Sequence, residues 1–219
     1  MPGTPRTTPA AGPDGPGRSG DSADPAIPGS PNTQGQSRRE QILEVAATQF
    51  AERGFHGVSV YDLGAALGIS GAALYKHFAS KEALLGEMLV GISERLLSEG
   101  QRRADDAAAA GPEAVLEALI GWHVEFALAH PALITVQLRD LASLSEDDRH
   151  AVRGLQRRYV ELWVRGICDA VGGDDNRARS AAHATFGLIN STPHSALLRP
   201  AEMAELLRQM ALDALRGLR

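Results

Sequence analysis

Cysteine and lysine are nearly absent from this sequence, which contains one cysteine and two lysines. A single cysteine, Cys168, excludes an intramolecular disulfide and is typical of proteins in a reducing compartment. No apolar run approaches the roughly 18 residues that a membrane span requires, and the N-terminal stretch lacks the apolar core of a secretory signal. The sequence therefore predicts a cytoplasmic protein with no membrane partner.

Runs of alternating β-branched residues are also missing, and stretches with apolar residues at helical spacing stand in their place. Ser37 and Glu40 form the signature of a capping box at the start of the first helix. Ser59, Ser80 and Ser145 precede further apolar stretches in the same way, as N-caps. These patterns predict an all-α fold of about nine helices.

Composition divides the chain into three parts. Residues 1–36 hold eight of the twelve prolines and cannot bury enough apolar surface to offset the entropy of ordering, which predicts a disordered tail. The short helices of residues 37–86 are predicted to form a small N-terminal head. The longer helices of residues 87–219 are predicted to form a larger C-terminal body.

Both lysines fall inside the segment "GISGAALYKHFASKEALL", Gly68 to Leu85. A helix, a glycine-containing turn and a second short helix follow the plan of a helix-turn-helix, whose second helix enters the major groove of DNA. Because the net charge is −5, DNA binding must depend on a local patch rather than on bulk charge. Small residues at the start of the second helix, with a lysine one turn later, are the candidates to face bases: Ser70, Gly71, Ala72 and Lys76. Side chains that donate to phosphate follow them: Tyr75, His77 and Lys81. Taken alone, two lysines so close together are most simply a solvated face.

Together with the preceding "ILEVAATQFAERGFHGVSVYDLGAALG", this segment resembles the DNA-binding head of TetR-type bacterial repressors over about residues 38–86. The resemblance implies phosphate contacts for Ser59, Tyr75, His77 and Lys81, and base contacts for Gly71, Ala72 and Lys76. Two glycines depart from the family pattern, because Gly71 has no side chain to read a base and Gly64 replaces the usual alanine. The resemblance also implies double-stranded operator DNA as a partner, and a body that senses a ligand and forms a homodimer.

Aromatic residues are scarce, yet several fall with polar residues in the middle of the body's central helices. An apolar cavity with a few polar groups is typical of a small-molecule site. The candidate pocket residues are Trp122, His123, Phe126, Gln137, Tyr159, Trp163, Phe186 and Asn190. Each of them, taken singly, also fits a plain core position. Around them the segment "ALAHPALITVQLRDLASLSEDDR…RRYVELW" is similar to sensor domains of TetR-type regulators of lipid and acyl-CoA metabolism.

The last two helices carry apolar and small residues at a spacing of three to four. Paired with a twofold copy, two such helices would form a four-helix bundle. The candidate dimer residues are Ala184, Leu188, Met203, Leu207, Met210 and Ala214. The alternative is that these stripes pack inside one subunit.

We therefore expect a ligand-responsive transcriptional regulator, a repressor released from its operator by a small hydrophobic effector such as a fatty acid or an acyl-CoA. The alternatives are a transcriptional activator and a helical enzyme with no recognised motif. His123 and His130 lie seven residues apart, but no His-Glu-x-x-His spacing accompanies them, so neither a metal nor a catalytic residue is expected. No phosphate-cradling glycine loop or nucleophile elbow is present, and no cofactor is expected.

Overall fold

The structure is a computed structural model that describes residues 37–195 and 197–218. The tail predicted for residues 1–36 lies outside the described residues. All regular structure within the described ranges is helical, as predicted, and the prediction of about nine helices corresponds to ten, one of which has only four residues. The helices are α1 Arg38–Arg53, α2 Val60–Leu67, α3 Gly71–Tyr75, α4 Lys81–Ala107, α5 Pro112–Ala129, α6 Pro131–Asp140, α7 Glu146–Val171, α8 Asp175–Ile189, α9 Thr192–Ser195 and α10 Pro200–Arg216. Short 3-10 turns follow α4, at Ala108–Ala110, and α6, at Leu141–Ser143.

Side-chain caps set the starts of the head helices where the sequence predicts them. At α1 the Glu40 amide donates to Ser37 Oγ (3.2 Å), and the Ser37 amide donates to the Glu40 carboxylate (2.7 Å). Ser59 and Asp62 form the same reciprocal pair at α2. Each cap satisfies backbone N–H groups that have no partner within the helix, so these starts are determined locally.

The three head helices pack around buried apolar side chains. Ile42, Phe50, Leu63 and Leu74 are among them. The third helix ends at Tyr75. The chain then turns so that the ring of Phe78 is also buried.

The long helix α4 runs from the head into the body, where it packs against α5 and α7. Gly100 permits the close approach, because a Cβ at this position would lie 2.8 Å from the ring of Tyr159 on α7. The body is completed by α8 against α7 and by α10 against α5 and α8, while α6 lies across α1 of the head. A continuous apolar core therefore connects the head to the body.

Candidate functional site

The turn between α2 and α3 brings the two helices close together. Gly68 ends α2 in the left-handed region (φ 65°), where glycine has no steric penalty. A Cβ on Gly64 would lie 2.7 Å from the backbone oxygen of Ile69. The glycine that departs from the family pattern at this position is therefore required by the tight packing of the turn on α2.

The four residues predicted to face bases lie along one short helix. Ser70 caps it, since its hydroxyl accepts from the Ala73 amide at 3.2 Å. Ser70, Ala72 and Lys76 are exposed and Gly71 is half-buried. The Lys76 side chain makes no hydrogen bond or ion pair with the described residues, so its ammonium group is available to a partner.

The four residues predicted to contact phosphate fall into two groups. Tyr75 is 54% exposed, and His77 is half-buried. Ser59 instead uses its hydroxyl within the head, because it donates to the Asp62 carboxylate at 2.5 Å. Lys81 is half-buried and donates to two backbone oxygens of the loop before α2. The structure thus brings all four to the head, but two of them already have internal partners.

One exposed aromatic residue near this surface was not found from the sequence. Tyr61 on α2 is 81% exposed. It lies on the opposite side of the helix from the buried Leu63. The available signal was its position in the first turn of α2, two residues after the cap Ser59, where a phenolic hydroxyl is well placed for a phosphate beside free helix N–H groups.

A cavity of about 530 Å³ lies in the body among α4, α5, α6, α7 and α8. Its size falls within the range of small-molecule sites. Six of the eight predicted pocket residues line it: His123, Phe126, Gln137, Tyr159, Phe186 and Asn190. The structure adds nine others, among them Gln156, Val160 and His183, and no aspartate, glutamate, lysine or arginine lines the cavity.

The two tryptophans do not line this cavity, which corrects their inclusion in the pocket. The indole N–H of Trp122 donates to the backbone oxygen of Leu96 at 3.1 Å, while the Arg103 guanidinium lies 4.9 Å from the ring centre. Trp163 is fully buried behind the ring of Phe186. Helical periodicity placed both on the inner faces of α5 and α7 but could not distinguish the cavity wall from the core behind it.

Three polar side chains form a hydrogen-bonded chain at the cavity wall. His123 Nδ1 lies 3.2 Å from the Tyr159 hydroxyl, and His123 Nε2 lies 3.2 Å from Asn190 Oδ1. Burial lowers the pKa of His123 to about 4, against a smaller opposing effect of the Asn190 hydrogen bond. Burial also raises the pKa of Tyr159. At neutral pH the whole chain is therefore uncharged.

Two arginines of α7 lie outside the cavity, in a groove beside it. Arg153 and Arg157 border a groove that shares Gln156, Val160 and His183 with the cavity wall. Both are exposed and form no ion pair with the described residues. A spacing of four residues puts the two guanidinium groups on one face of the helix.

A neighbouring arginine connects the cavity to the head. Arg139, on the cavity-lining helix α6, donates to the backbone oxygens of Phe50 and Ala51 (3.1 Å for Ala51), the last turn of α1. Its guanidinium is also paired with the buried Asp140 carboxylate at 3.0 Å. A cation there complements the negative end of the helix, and at Phe50 it adds a second donor to an oxygen that already accepts from the Gly54 amide at 2.8 Å.

The predicted dimer stripe is divided between the core and the surface. Met203 and Leu207 are only 4% and 2% exposed within one subunit, which corrects their assignment to a surface. Met210 is 44% exposed, and Ala184 and Ala214 are exposed. Leu188 is half-buried. Spacing alone could not resolve which side of the stripe faces α5 and α8.

In the part of the chain that the structure describes, no single helix has the length and hydropathy of a membrane span. The ranges Pro112–Ala129 and Pro131–Ser143 have the length and hydropathy of a span only when they are taken together, and the chain bends by 91° between them. No group of three or more His, Cys, Asp or Glu side chains in these residues is placed to hold a metal ion.

A helix-turn-helix head with an exposed second helix, joined to an all-helical body that contains a cavity, defines the class of helix-turn-helix DNA-binding regulators. The family model described as bacterial regulatory proteins, tetR family, matches residues 42–88, and the tetracyclin repressor-like C-terminal domain matches residues 109–195. The chain belongs to the tetR family. It is a DNA-binding transcriptional regulator and not an enzyme.

Named relatives and solved structures agree with this assignment. The transcriptional repressor KstR2 of Rhodococcus jostii is 34% identical over 151 residues, which are 68% of this chain and 72% of that protein. The structure of the ketosteroid transcriptional regulator KstR2 of Mycobacterium tuberculosis has a TM-score of 0.71 at 25% identity and covers 84% of this chain and 96% of that one. AibR, solved with isovaleryl coenzyme A and operator DNA, has the same fold, with a TM-score of 0.65 at 22% identity over 80% of this chain and 97% of that one.

Proposed function

We propose that this chain is a homodimeric repressor that is released from its operator by an amphipathic effector, a hydrophobic acid or its coenzyme A thioester. The observation that carries the proposal is the uncharged cavity of about 530 Å³ with Arg153 and Arg157 in the groove beside it. An apolar body fits the cavity, and arginine pairs well with phosphate or carboxylate. The complex of AibR with isovaleryl coenzyme A supports the proposal at the level of the fold.

We assign residues 37–86 to the DNA-binding head and residues 87–219 to the sensing and dimerising body, with α4 passing through both. In the dimer, two heads contact successive major grooves on one side of the duplex, where half-sites are about 34–36 Å apart. Ser70, Gly71, Ala72 and Lys76 face the bases. Ser59, Tyr75, His77 and Lys81 lie toward the phosphates, and Tyr61 joins them. Because its target is bacterial DNA, the protein acts in the cytoplasm.

The contact of Arg139 with α1 supplies the coupling between effector and DNA. An effector that displaces α6 from its position against the cavity also displaces the guanidinium that holds the end of α1. The head is then placed wrongly for the second half-site. A hundredfold release of DNA requires the effector to favour that conformer by about 2.7 kcal/mol.

Sequencing genomic DNA fragments retained by the purified protein tests the DNA-binding half of the proposal. We expect a pseudo-palindromic site upstream of a small set of genes. Gel-shift titration of that site with acyl-CoAs of increasing chain length tests the effector half, with release expected at saturation. Retention of DNA at every effector concentration would refute the effector class, and increased transcription on binding would favour the activator alternative.

A further inference from the structure

The chain of His123, Tyr159 and Asn190 comes from three different helices and borders the cavity. His123 lies in the middle of α5, Tyr159 on α7, and Asn190 at the C-terminal end of α8. His123 and Tyr159 are buried and Asn190 is half-buried. All three belong to the cavity wall. An effector in the cavity therefore lies against these three side chains.

The protons of the hydrogen-bonded chain His123–Tyr159–Asn190 can be arranged in two ways, and each arrangement leaves a hydrogen-bond donor for a ligand. In one arrangement His123 donates from Nε2 to Asn190 Oδ1, Tyr159 donates to Nδ1, and the Asn190 amide N–H groups are left over. In the other arrangement the Asn190 amide is turned and donates to Nε2, Nδ1–H donates to Tyr159, and the phenolic proton is left over. Both arrangements satisfy the two hydrogen bonds of 3.2 Å. At least one N–H or O–H donor thus remains for the ligand in either case.

The charge of the surroundings decides which acceptor suits that donor. No basic or acidic side chain other than the two histidines lines the cavity. Burial keeps His123 neutral, with a pKa of about 4, and His183 is exposed. A carboxylate placed against the chain would be buried without a counter-charge, which is costly.

We propose that the buried end of the effector carries a neutral oxygen acceptor, such as a keto oxygen, that accepts a hydrogen bond from the His123–Tyr159–Asn190 chain. The anionic end of the same molecule lies outward at Arg153 and Arg157. The inference rests on the proposed function, since it deepens the description of its effector. It distinguishes this cavity from one built for a saturated acyl chain, which would leave the donor unpaired.

Isothermal titration of the full chain with matched pairs of coenzyme A thioesters tests the proposal. Each pair has a saturated acyl group of six to twelve carbons and its counterpart with a keto oxygen on the penultimate carbon. When the acyl group is long enough for its keto oxygen to reach the His123–Tyr159–Asn190 hydrogen-bonded chain, we expect the keto compound to bind roughly three- to tenfold more tightly than the saturated one. The matching thioester with a terminal carboxylate should bind more weakly than both. Absence of a keto preference at every length would overturn the proposal.

Two variants test which side chains cause the preference for keto thioesters over saturated ones. Asn190→Leu and His123→Phe should each abolish it while binding of the saturated thioester is retained, and melting temperatures report whether each variant folds. Gln101→Leu is the control, because it removes an exposed amide from α4, outside the cavity wall, and should leave the preference intact. A preference that survives in a folded Asn190→Leu protein, or that is lost in the control, would assign recognition to another group.

A failure of the proposed effector class gives a different result from a failure of the keto-oxygen inference. If no coenzyme A thioester binds, the effector class is wrong, and the cavity wall is then tested with methyl esters of the same acids, which carry no anion. A keto preference among the esters would still support the hydrogen-bonded chain as the recognition element. Equal binding of keto and saturated esters, or no binding of either, would overturn it.

Discussion

The ammonium nitrogen of Lys81 lies 2.8 Å from the backbone oxygen of Val58, the residue before the cap of α2. It also donates to the Phe55 oxygen at 2.9 Å and lies 4.2 Å from the centre of the Phe55 ring. The first residue of α4 thus holds the loop that leads into the helix-turn-helix. Lys76, five residues earlier, has no such partner among the described residues.

This difference predicts opposite effects for the two lysines. Lys81→Ala removes two charge-assisted hydrogen bonds and should lower the free energy of unfolding by about 1.5–3 kcal/mol. Lys76→Ala should leave stability within about 0.5 kcal/mol of the parent protein. It should instead reduce the slope of log K against log salt by about one if Lys76 meets a phosphate, or change the preferred operator if it meets a base.

Urea unfolding and DNA titration over a range of salt concentrations measure these effects. Equal stability losses in the two variants would contradict the structural role of Lys81. A phosphate contact of Lys81 through its third N–H stays a prediction, and it requires the salt slope to fall in Lys81→Ala as well.

Gly64→Ala should destabilise the head. The new methyl group would meet the Ile69 oxygen at 2.7 Å, and a backbone atom cannot move aside as a flexible side chain does. We expect a loss of about 1–3 kcal/mol together with weaker operator binding. Gly91→Ala is the matched control, because Gly91 is exposed within α4 and its new Cβ would meet nothing within 4 Å. That change should raise stability by about 0.5–1 kcal/mol, and similar losses in both variants would refute the steric explanation.

Arg139→Gln should weaken the coupling between effector and DNA. The variant loses the guanidinium that joins α6 to the end of α1, while the cavity wall is unchanged. The effector dissociation constant should stay within about twofold, but the release of DNA at saturation should fall about tenfold, which corresponds to about 1.4 kcal/mol of coupling. Arg208→Gln is the control, because it removes an ion pair with Glu125 inside the body. Full release by Arg139→Gln would show that coupling runs elsewhere.

Met210→Glu should disrupt the proposed dimer. Its side chain is exposed on α10 beside Ala214, and a carboxylate there would be buried next to its twofold copy. Sedimentation equilibrium should show a shift toward monomer, with at least tenfold weaker operator binding. Glu205→Gln changes the charge by one unit in the opposite direction, on another side of α10, and should remain dimeric. A dimeric Met210→Glu protein would place the interface on another surface.

Stability should fall with acidity because of His123. Its pKa is about 4 in the folded protein against an ordinary value of 6.5, so the unfolded chain binds the proton first as pH falls. The stabilisation is therefore complete above about pH 6.5 and is lost progressively toward pH 4, by about 3 kcal/mol in total. The unfolding free energies of the parent protein and of His123→Gln should therefore depend on pH in the same way above about pH 6.5 and differently between pH 6.5 and pH 4. Parallel curves from pH 7 to pH 4 would contradict a buried neutral imidazole.

Local patterns predicted the helix starts well. The caps at Ser37, Ser59, Ser80 and Ser145 all accept from the amide three residues later, as expected. Such a cap needs only residues within one turn, so the information is complete in a short window of sequence. The end of α3 was less predictable, because burial of Phe78 and the contact of Arg39 with the His77 oxygen depend on other helices.

The cavity and the dimer surface were predicted only in part. Six of the eight candidate residues line the cavity, because amphipathic periodicity identifies the inner face of a helix. Whether a residue on that inner face lines the cavity or lies in the core behind it depends on the neighbouring helices. For this reason the sequence pattern placed Trp122 and Trp163 in the cavity wall, which they do not line. Met203 and Leu207 were assigned to a surface for the same reason.

By itself, the sequence determined an all-helical chain with a helix-turn-helix head, because caps, glycine stops and apolar spacing act over a few residues. Only the tertiary structure decided that Lys81 binds backbone oxygens, that Arg139 joins α6 to α1, and that the cavity wall is uncharged. These properties depend on groups that are distant along the chain and meet only when the helices pack. Charge and periodicity name the candidates, but packing decides which partner each of them meets.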